Sequence, residues 1–412
     1  MVFESKAREP ASLGGPKEST AARAVRRLIA QIEFGRITVV LPSGGHVQHS
    51  GTGAGPSATL VLRRWRAIRR LIGQGDLGFA EAYIVGDWSS PDLAALLELA
   101  ARNIAALDNK ISGFWPVRLL NRARHLLRAN SKPGSRRNIA FHYDLGNDFY
   151  QCWLDQSMTY SSALYTDPEQ TLEAAQDAKL SRIEDLLNLR GGEHVLEIGC
   201  GWGALAVKLA RAGARVTGIT LSSEQLAFAR QRVRKEELAD KVELELIDYR
   251  DVRGTYDRIV SIEMLEAVGE AYWPVYFKTL RERLSPGGIA ALQVITIDEA
   301  RFEDYRRTPD FIQRHIFPGG MLPTKAVIAG QARAAGLTLV STQSFGDDYA
   351  KTLVEWRKRF LAAWPKIEAM GFPERFRRLW EYYLCYCEAG FRAGIIDVGF
   401  YVLREADANP GV

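Results

Sequence analysis

The clearest pattern in the chain is a series of short apolar runs after residue 190, separated by segments long enough to form helices. Strands that alternate with helices in this way are typical of an α/β protein with a doubly wound parallel sheet. Ligands of such sheets bind at the carboxyl ends of the strands. The runs that predict strands are residues 194–198, 215–219, 242–247, 257–262 and 288–297.

The first third of the chain has a different pattern and predicts a small α+β domain over residues 21–130. Apolar runs there are short and are separated by a glycine-rich stretch and by segments with helical spacing. The predicted elements are strands at 36–41 and 58–62, a loop at 43–57, and helices at 63–72 and 90–101, the last capped by Ser90.

Polar stretches divide the chain around these two patterns. Residues 1–20 are polar and contain Gly-Gly-Pro, which predicts a disordered tail. The sequence Ser-Lys-Pro-Gly-Ser begins a predicted linker at 131–137. The second domain is therefore expected to span residues 138–405.

Charge is distributed unevenly along the 412 residues. The first 140 residues carry 21 Lys and Arg against 10 Asp and Glu, a charge of +11, and the remainder carries 33 against 39, a charge of −6. A basic end of this kind favours an anionic surface as partner. A membrane is preferred over nucleic acid, because no nucleic-acid-binding module is visible. The basic strip with helical spacing consists of Arg63, Arg64, Arg66, Arg69 and Arg70.

The composition, 47% hydrophobic and 25% charged, is that of a globular protein with two domains. No apolar run is long enough to cross a membrane, and the first 20 residues lack the apolar centre of a signal peptide. The four cysteines have no framework spacing, and Cys385 and Cys387 would point to different helix faces, so no metal site is expected. We expect a cytoplasmic protein that associates peripherally with the inner membrane surface.

A glycine-rich loop follows the first strand of the second domain. Its glycines, at 199, 201 and 203, would let the backbone turn tightly against a ligand. A dinucleotide site also uses such a loop, but it needs an acid at the end of the next strand, where residues 218–221 have none. Glu197 precedes the loop, and the spacing E-x-G-x-G-x-G resembles the first motif of S-adenosylmethionine-dependent methyltransferases. The loop alone favours this cofactor over NAD.

Four further motifs occur in the same order in one family. The chain resembles the cyclopropane fatty acid synthases, including the related mycolic acid modifying methyltransferases, over about residues 137–403. Its N-terminal part is similar, more weakly, to the small extra domain of the members that act on phospholipids. The motifs are HYDLGNDFY at 142–150, MTYS at 158–161, DYRD at 248–251 and IFPGG at 316–320.

The resemblance implies a class I, Rossmann-like methyltransferase fold with a lid inserted at about 297–347. It also implies methyl transfer from S-adenosylmethionine to a cis double bond of an acyl chain in a membrane phospholipid. The carbocation that results needs a dry pocket of negative bias. The cofactor residues implied by the resemblance are Tyr160, Ser161, Glu197, Gly199, Cys200, Gly201, Gly203, Thr220, Leu221, Gln225, Tyr249 and Arg250.

Members of this family close the ring with a bound bicarbonate as base, held by a Cys, a Glu, a His, a backbone amide and a Tyr. The resemblance places Glu266, the backbone of Ile295 and Tyr349 at three of these positions. Ser162 stands where the Cys is expected, and Gln293 stands where the His is expected. Ser and Gln donate hydrogen bonds to an oxyanion, but neither takes up a proton near neutral pH. A bicarbonate would therefore be held more weakly.

These departures favour a methyl- or methylene-branched product without ring closure. Glu266 is then the first candidate for base or cation stabiliser, and Glu263, an unusual acid at the end of a core strand, is the second. A true cyclopropane-fatty-acyl-phospholipid synthase, a methyltransferase of small soluble acceptors and a non-catalytic lipid- or cofactor-binding homologue remain alternatives. The sequence also leaves a homo-oligomer open.

Overall fold

The computed structural model describes residues 20–111 and 145–406. The predicted linker at 131–137, almost all of the predicted tail and the start of the motif at 142–150 lie outside the described residues. No helix of the described ranges combines the length and the apolar character that a bilayer crossing requires.

The N-terminal part is built around a four-stranded sheet with helices packed against it. The sheet has the order β2-β1-β3-β4, with β1 parallel to β3 and the other neighbours antiparallel. The elements are α1 (Thr20–Ile29), β1 (Phe34–Val40), β2 (His46–Ser50), β3 (Gly53–Leu62), α2 (Arg66–Ile84), β4 (Trp88–Ser89), α3 (Leu93–Arg102) and α4 (Ile104–Ile111).

Several sequence-based predictions in this part were wrong in detail. The expected loop at 43–57 contains β2 and the beginning of β3, because His46–Ser50 pairs with β1 and completes the sheet. The helix expected to start at Ser90 starts after Asp92, whose side chain accepts a hydrogen bond from the Ala95 amide at 3.0 Å. The Ser90 hydroxyl instead donates to the carbonyl of Asp92.

Helix α2 is longer than predicted and is interrupted once. It continues to Ile84 rather than ending at residue 72, and Gly75 breaks its helical path with φ +66° and ψ −146°. A non-glycine residue would be strained in this conformation. The break lies at the wall of the main cavity.

The second part contains a seven-stranded sheet of order β10-β11-β9-β8-β5-β6-β7. Strands β5 to β9 are parallel, as the spacing of the apolar runs predicted. The strands are β5 (His194–Ile198), β6 (Arg215–Thr220), β7 (Val242–Leu246), β8 (Tyr256–Ile262), β9 (Leu284–Ile297), β10 (Leu337–Ser344) and β11 (Ile396–Glu405).

Helices pack against this sheet. Strand β5 lies between β6 and β8, so the chain winds away from it in both directions and leaves a crevice above its carboxyl end. The helices are α5 (Asn147–Gln151), α6 (Leu172–Leu187), α7 (Ala204–Arg211), α8 (Ser223–Lys235), α9 (Leu265–Val268), α10 (Trp273–Arg283), α11 (Glu299–Arg307), α12 (Phe311–His315), α13 (Lys325–Ala334), α14 (Gly346–Ala362), α15 (Trp364–Ala369) and α16 (Glu374–Arg392).

The segment expected to form a lid, about 297–347, is only partly an insertion. Helices α11, α12 and α13 belong to it, but its last strand, β10, pairs antiparallel with β11 in the large sheet. Strand β11 is in turn antiparallel to β9. The C-terminal end of the chain therefore adds β11, which runs opposite to the five parallel strands, and β10, which runs in the same direction as they do.

Helix α16 joins the two parts of the molecule. Arg378 on this helix donates hydrogen bonds to the carbonyl oxygens of Tyr83 at 2.7 Å and of Trp88 at 3.0 Å. The Tyr83 hydroxyl donates in return to the carboxylate of Glu381, also on α16. These bonds fix the small sheet and its helices next to the crevice of the large sheet.

Candidate active site

A cavity of about 1350 Å³ opens above the carboxyl ends of the central parallel strands. Many of the residues predicted to surround a cofactor or to act in catalysis lie on its wall, although they come from separate parts of the sequence. The predicted residues on the wall are Tyr160, Gly199, Gly201, Thr220, Leu221, Gln225, Tyr249, Glu263, Glu266, Ile295 and Tyr349.

The glycine loop has the backbone conformation that its residue types predict. Gly199, Gly201 and Gly203 all have positive φ, at +88°, +50° and +82°. At Gly203 a Cβ would lie 3.0 Å from the side chain of Ala229, whereas at Gly201 it would meet nothing within 4 Å. Gly203 therefore allows close packing of the loop on α8, and Gly201 leaves open space for a ligand.

Two of the polar residues after β6 are bonded to each other. The Thr220 hydroxyl donates to the side-chain oxygen of Gln225 at 3.0 Å. The backbone amide of Gln225 also donates to the hydroxyl of Ser222, which caps α8. Gln225 therefore has a structural role through its backbone, and its side chain lies on the cavity wall beside Thr220.

Some predicted cofactor residues do not line the cavity. The side chain of Arg250 forms an ion pair with Asp248 at 2.7 Å and lies over the rings of Tyr249 and Tyr272. Cys200 is buried, and burial raises the pKa of its thiol well above the ordinary value. The others that lie behind the wall are Ser161, Glu197 and Gly203.

A buried lysine that the sequence analysis did not consider supports the segment before the cavity. Lys179 lies on α6, is 1% exposed, and donates a hydrogen bond to the Ser161 hydroxyl at 2.8 Å. Burial lowers the pKa of Lys179 to about 8, and the acids Glu263, Asp155 and Glu197 oppose this effect. Lys179 shares a helical face with Leu172 and Ile183, and this spacing is the one signal in the sequence for its buried position.

Glu197 is the buried acid at the end of the first parallel strand. Burial raises the pKa of its carboxyl group to about 8, and the charge of Lys179 acts in the opposite direction. Its Oε2 atom has no hydrogen-bond partner among the described residues. A buried polar atom without a partner is energetically costly.

Glu263 is the centre of a hydrogen-bond network at the end of β8. Its Oε1 accepts from the Ser162 amide at 2.9 Å and from the Gln293 side chain at 2.7 Å, and its Oε2 accepts from the Tyr349 hydroxyl at 2.7 Å. The residue has φ +48°, an uncommon value for a non-glycine residue. A strained residue that is held by three donors is a mark of a functional position.

Glu266, four residues after the strand, has a different environment. Its Oε1 accepts one hydrogen bond, from the Ile295 amide at 2.5 Å, and its Oε2 has no partner among the described residues. Burial, together with the nearby charge of Glu263, raises the pKa of Glu266 to about 8. Glu266 is therefore mainly protonated at neutral pH.

The groups predicted to hold a bicarbonate are brought together, but they bind carboxylates of the chain itself. Ser162, Gln293 and Tyr349 all donate to Glu263, and the amide of Ile295 donates to Glu266. The Ser162 hydroxyl points to the carbonyl of Ala163 and is not part of this set. A further anion would face two acids and would find these donors already bonded, so the site does not fit bicarbonate.

The cavity does fit S-adenosylmethionine. The glycine loop leaves open space at Gly201, and the hydroxyl of Tyr249, a residue that lines the same cavity, lacks a partner among the described residues. The side chains of Tyr160, Thr220 and Gln225 offer further polar atoms. The ordered sheet, the loop and this crevice define a class I methyltransferase.

The comparisons with known proteins identify the family. Residues 130–400 match the model of the mycolic acid cyclopropane synthetase family. The chain therefore belongs to this family, and it is an S-adenosylmethionine-dependent methyltransferase. This confirms the resemblance, the fold class, the enzyme class and the cofactor that the sequence motifs implied.

Two relatives are similar to this chain over a longer stretch than the residues that the family model matches. Tuberculostearic acid methyltransferase UfaA1 of Mycobacterium tuberculosis is 41% identical over 93% of this chain and 91% of its own length. Cyclopropane-fatty-acyl-phospholipid synthase of Escherichia coli is 38% identical over 83% of this chain and 86% of its own length. The crystal structure of mycolic acid cyclopropane synthase CmaA1 complexed with SAH and CTAB is also similar, with 32% sequence identity and a TM-score of 0.62. The matched region covers 66% of this chain and 98% of the CmaA1 chain.

Proposed function

We propose that this enzyme methylates a carbon–carbon double bond in an acyl chain of a membrane phospholipid and releases a methyl- or methylene-branched chain rather than a cyclopropane. The network around Glu263 supports the proposal, since three groups that the resemblance assigns to bicarbonate binding donate instead to this carboxylate. The names of the two relatives described above support a lipid acyl substrate.

The chemistry needs one electrophile and one base. S-adenosylmethionine supplies an electrophilic methyl group when it is bound. The electron pair of the double bond forms a new carbon–carbon bond to this methyl as the methyl–sulfur bond breaks, the neutral thioether leaves, and the other alkene carbon becomes a cation. A hydride shift followed by loss of a proton from the new methyl gives a methylene group, and loss from an adjacent carbon gives a methyl branch on a new double bond. In both cases Glu263 accepts the proton.

We assign the base to Glu263 rather than to Glu266, which reverses the order expected from the sequence. Burial raises the pKa of both groups, but three hydrogen bonds and the charge of Lys179 favour the ionised form of Glu263. Glu266 accepts one hydrogen bond and has a pKa of about 8. The ionised carboxylate of Glu263 also stabilises the neighbouring carbocation electrostatically.

The surface charge supports docking to an anionic membrane, with one correction to the predicted strip. Arg66 and Arg64 form ion pairs with Asp87, whose side chain is fully buried. These two arginines therefore stabilise the fold of the N-terminal part. We assign membrane docking to Arg63 and Arg69, which are exposed and are not paired with Asp87.

The test is the product formed from unsaturated phospholipid with trideuteromethyl cofactor. A cyclopropane retains two deuteriums and contains no double bond, whereas a methylene product retains two deuteriums and one double bond. A methyl branch on a shifted double bond retains three. Mass and the upfield proton signals of a cyclopropane ring distinguish these products, and a ring product would contradict the proposal.

Glu263→Gln tests the base itself. We expect this isosteric variant to lose about 100-fold or more in methyl transfer, the usual range for a general base. Affinity for S-adenosylmethionine, measured by calorimetry, should stay within about twofold. Glu266→Gln is the matched control and should retain most activity at neutral pH. Equal loss in both variants would contradict the assignment of the base.

A further inference from the structure

The main cavity extends beyond the crevice of the large sheet into the N-terminal part. One continuous wall runs from Glu263 and Gly199 to side chains of α1, β1, β3 and α3. The residues of the small sheet that line it, Ile37, Val39 and Leu60, alternate along their strands and so share one face. The small sheet therefore turns one apolar face towards the methyl-transfer site.

This N-terminal limb of the cavity is apolar. Apart from Gln74 and Asp76, every residue between 20 and 111 that lines it is apolar or glycine. Interiors of small domains are normally close-packed, so a large unfilled space with an apolar wall indicates a place for an apolar ligand. The total volume of about 1350 Å³ exceeds the roughly 300–1,000 Å³ of a pocket for one small molecule, which leaves room for a cofactor and an acyl chain together.

Exposed residues line the limb at the break in α2. Gln74 and Asp76, on either side of Gly75, line the cavity and are exposed. Ile72, just before the break, is 58% exposed, more than any other large apolar side chain among the described residues. Arg69, within one turn of it, is also exposed. An apolar side chain beside a basic one is typical of a surface that meets lipid.

We propose that the N-terminal part is an acyl channel. The stretch of acyl chain between the ester and the double bond passes through the break in α2, occupies the apolar limb, and delivers the double bond to Glu263. The head group then stays at the surface near Arg69. This inference rests on the proposed function, because it concerns how the same lipid substrate reaches the same site.

Photocrosslinking tests the position of the chain directly. The probe is a phosphatidylglycerol vesicle lipid whose acyl chain carries a diazirine between the ester and a cis double bond. After irradiation with the full-length protein, peptide mass spectrometry should find the label on residues 25–39, 60–77 or 96–107, and unlabelled lipid should compete. Label found within residues 145–406 alone would overturn the channel.

A blocked channel provides the second test. Leu28 on α1 lines the limb, whereas Ala24 on the same helix is exposed and does not. Leu28→Trp should lower kcat/KM on the vesicle lipid by about tenfold or more, while cofactor affinity stays unchanged and Ala24→Trp behaves as wild type. Thermal unfolding of both variants checks that they fold.

The two tests separate failure of the channel from failure of the proposed function. If the wild type methylates the lipid but Leu28→Trp is as active as Ala24→Trp, and the crosslinks avoid the N-terminal part, the channel is wrong and the function stands. If the wild type gives no methylated lipid but the crosslinks fall in the limb, the channel stands and the function is wrong.

Discussion

Lys179 places a positive charge among the acids of the site. It lies in the interior, donates to Ser161, and interacts electrostatically with Glu263, Glu197 and Asp155. Ser161 is followed by Ser162, whose amide holds Glu263. The positive charge of Lys179 therefore acts on Glu263, the proposed base. Its hydrogen bond to Ser161 also positions the backbone at Ser162, which donates to Glu263.

Replacement of Lys179 by Met should make Glu263 harder to ionise. Activity requires the carboxylate, so the acid limb of the pH profile of methyl transfer should move to higher pH by about one unit. Lys179→Arg keeps the charge and should move the limb less. Lys208→Met, on the partly exposed side of α7, is the control and should leave the profile unchanged. An unaltered acid limb in Lys179→Met would argue against electrostatic support of the base.

Glu266 should make the stability of the protein depend on pH. Its pKa is about 8 in the folded protein, above the ordinary value of 4.5. As the pH rises between these values, the unfolded chain loses its proton first, so folding becomes less favourable. Glu266→Gln removes this loss of stability at high pH. Thermal unfolding of the variant should match the wild type near pH 4 and occur at higher temperature than the wild type at pH 9, and a constant difference between the two would contradict the pKa.

The sequence could predict which residues meet at the site but not how they pair. The family motifs brought together Ser162, Gln293 and Tyr349, and all three bond to Glu263. Sequence reasoning nevertheless ranked Glu266 above Glu263, because spacing does not show which carboxylate receives the amide and hydroxyl donors. Lys179 was missed because its burial depends on the tertiary packing of α6.

Secondary structure was predictable where apolar runs alternate regularly with helical segments. The five parallel strands follow the alternation of apolar runs and helices, and their register confirms the expected doubly wound sheet. Strand β10 was assigned to a lid because only the first half of its sequence, LTLVSTQS, is apolar, so it does not resemble the apolar runs of the parallel strands. Strand β2, HVQHS, was hidden for the same reason, since it contains one buried apolar residue, Val47.

The start of α3 offers a simple test at the level of an element. Asp92→Ala removes the side chain that accepts the hydrogen bond from Ala95 and should cost about 1 kcal/mol of stability. Ser90→Ala, two residues earlier, leaves that cap intact and should cost much less. Chemical denaturation of the full chain, followed by a signal from the N-terminal part, measures both. A larger loss in Ser90→Ala would restore Ser90 as the cap.

The charge of the whole molecule predicts how it meets a membrane. Arg63→Glu with Arg69→Glu should weaken binding to anionic vesicles by about tenfold or more, because each arginine near the surface contributes about 1 kcal/mol. The thermal midpoint should stay unchanged. Arg215→Glu with Arg333→Glu changes the net charge equally on the other part of the molecule and is the control. Equal weakening in both double variants would show that only net charge matters.

The position of the base within the polypeptide has a consequence for the conditions under which the enzyme works. An anion taken from solution is lost when the medium contains little dissolved carbon dioxide, whereas Glu263 is replaced only by mutation. Turnover should therefore be the same in buffer purged of carbon dioxide and in buffer saturated with it. On the proposed assignment of Glu263 as the base, proton removal needs no anion from the medium.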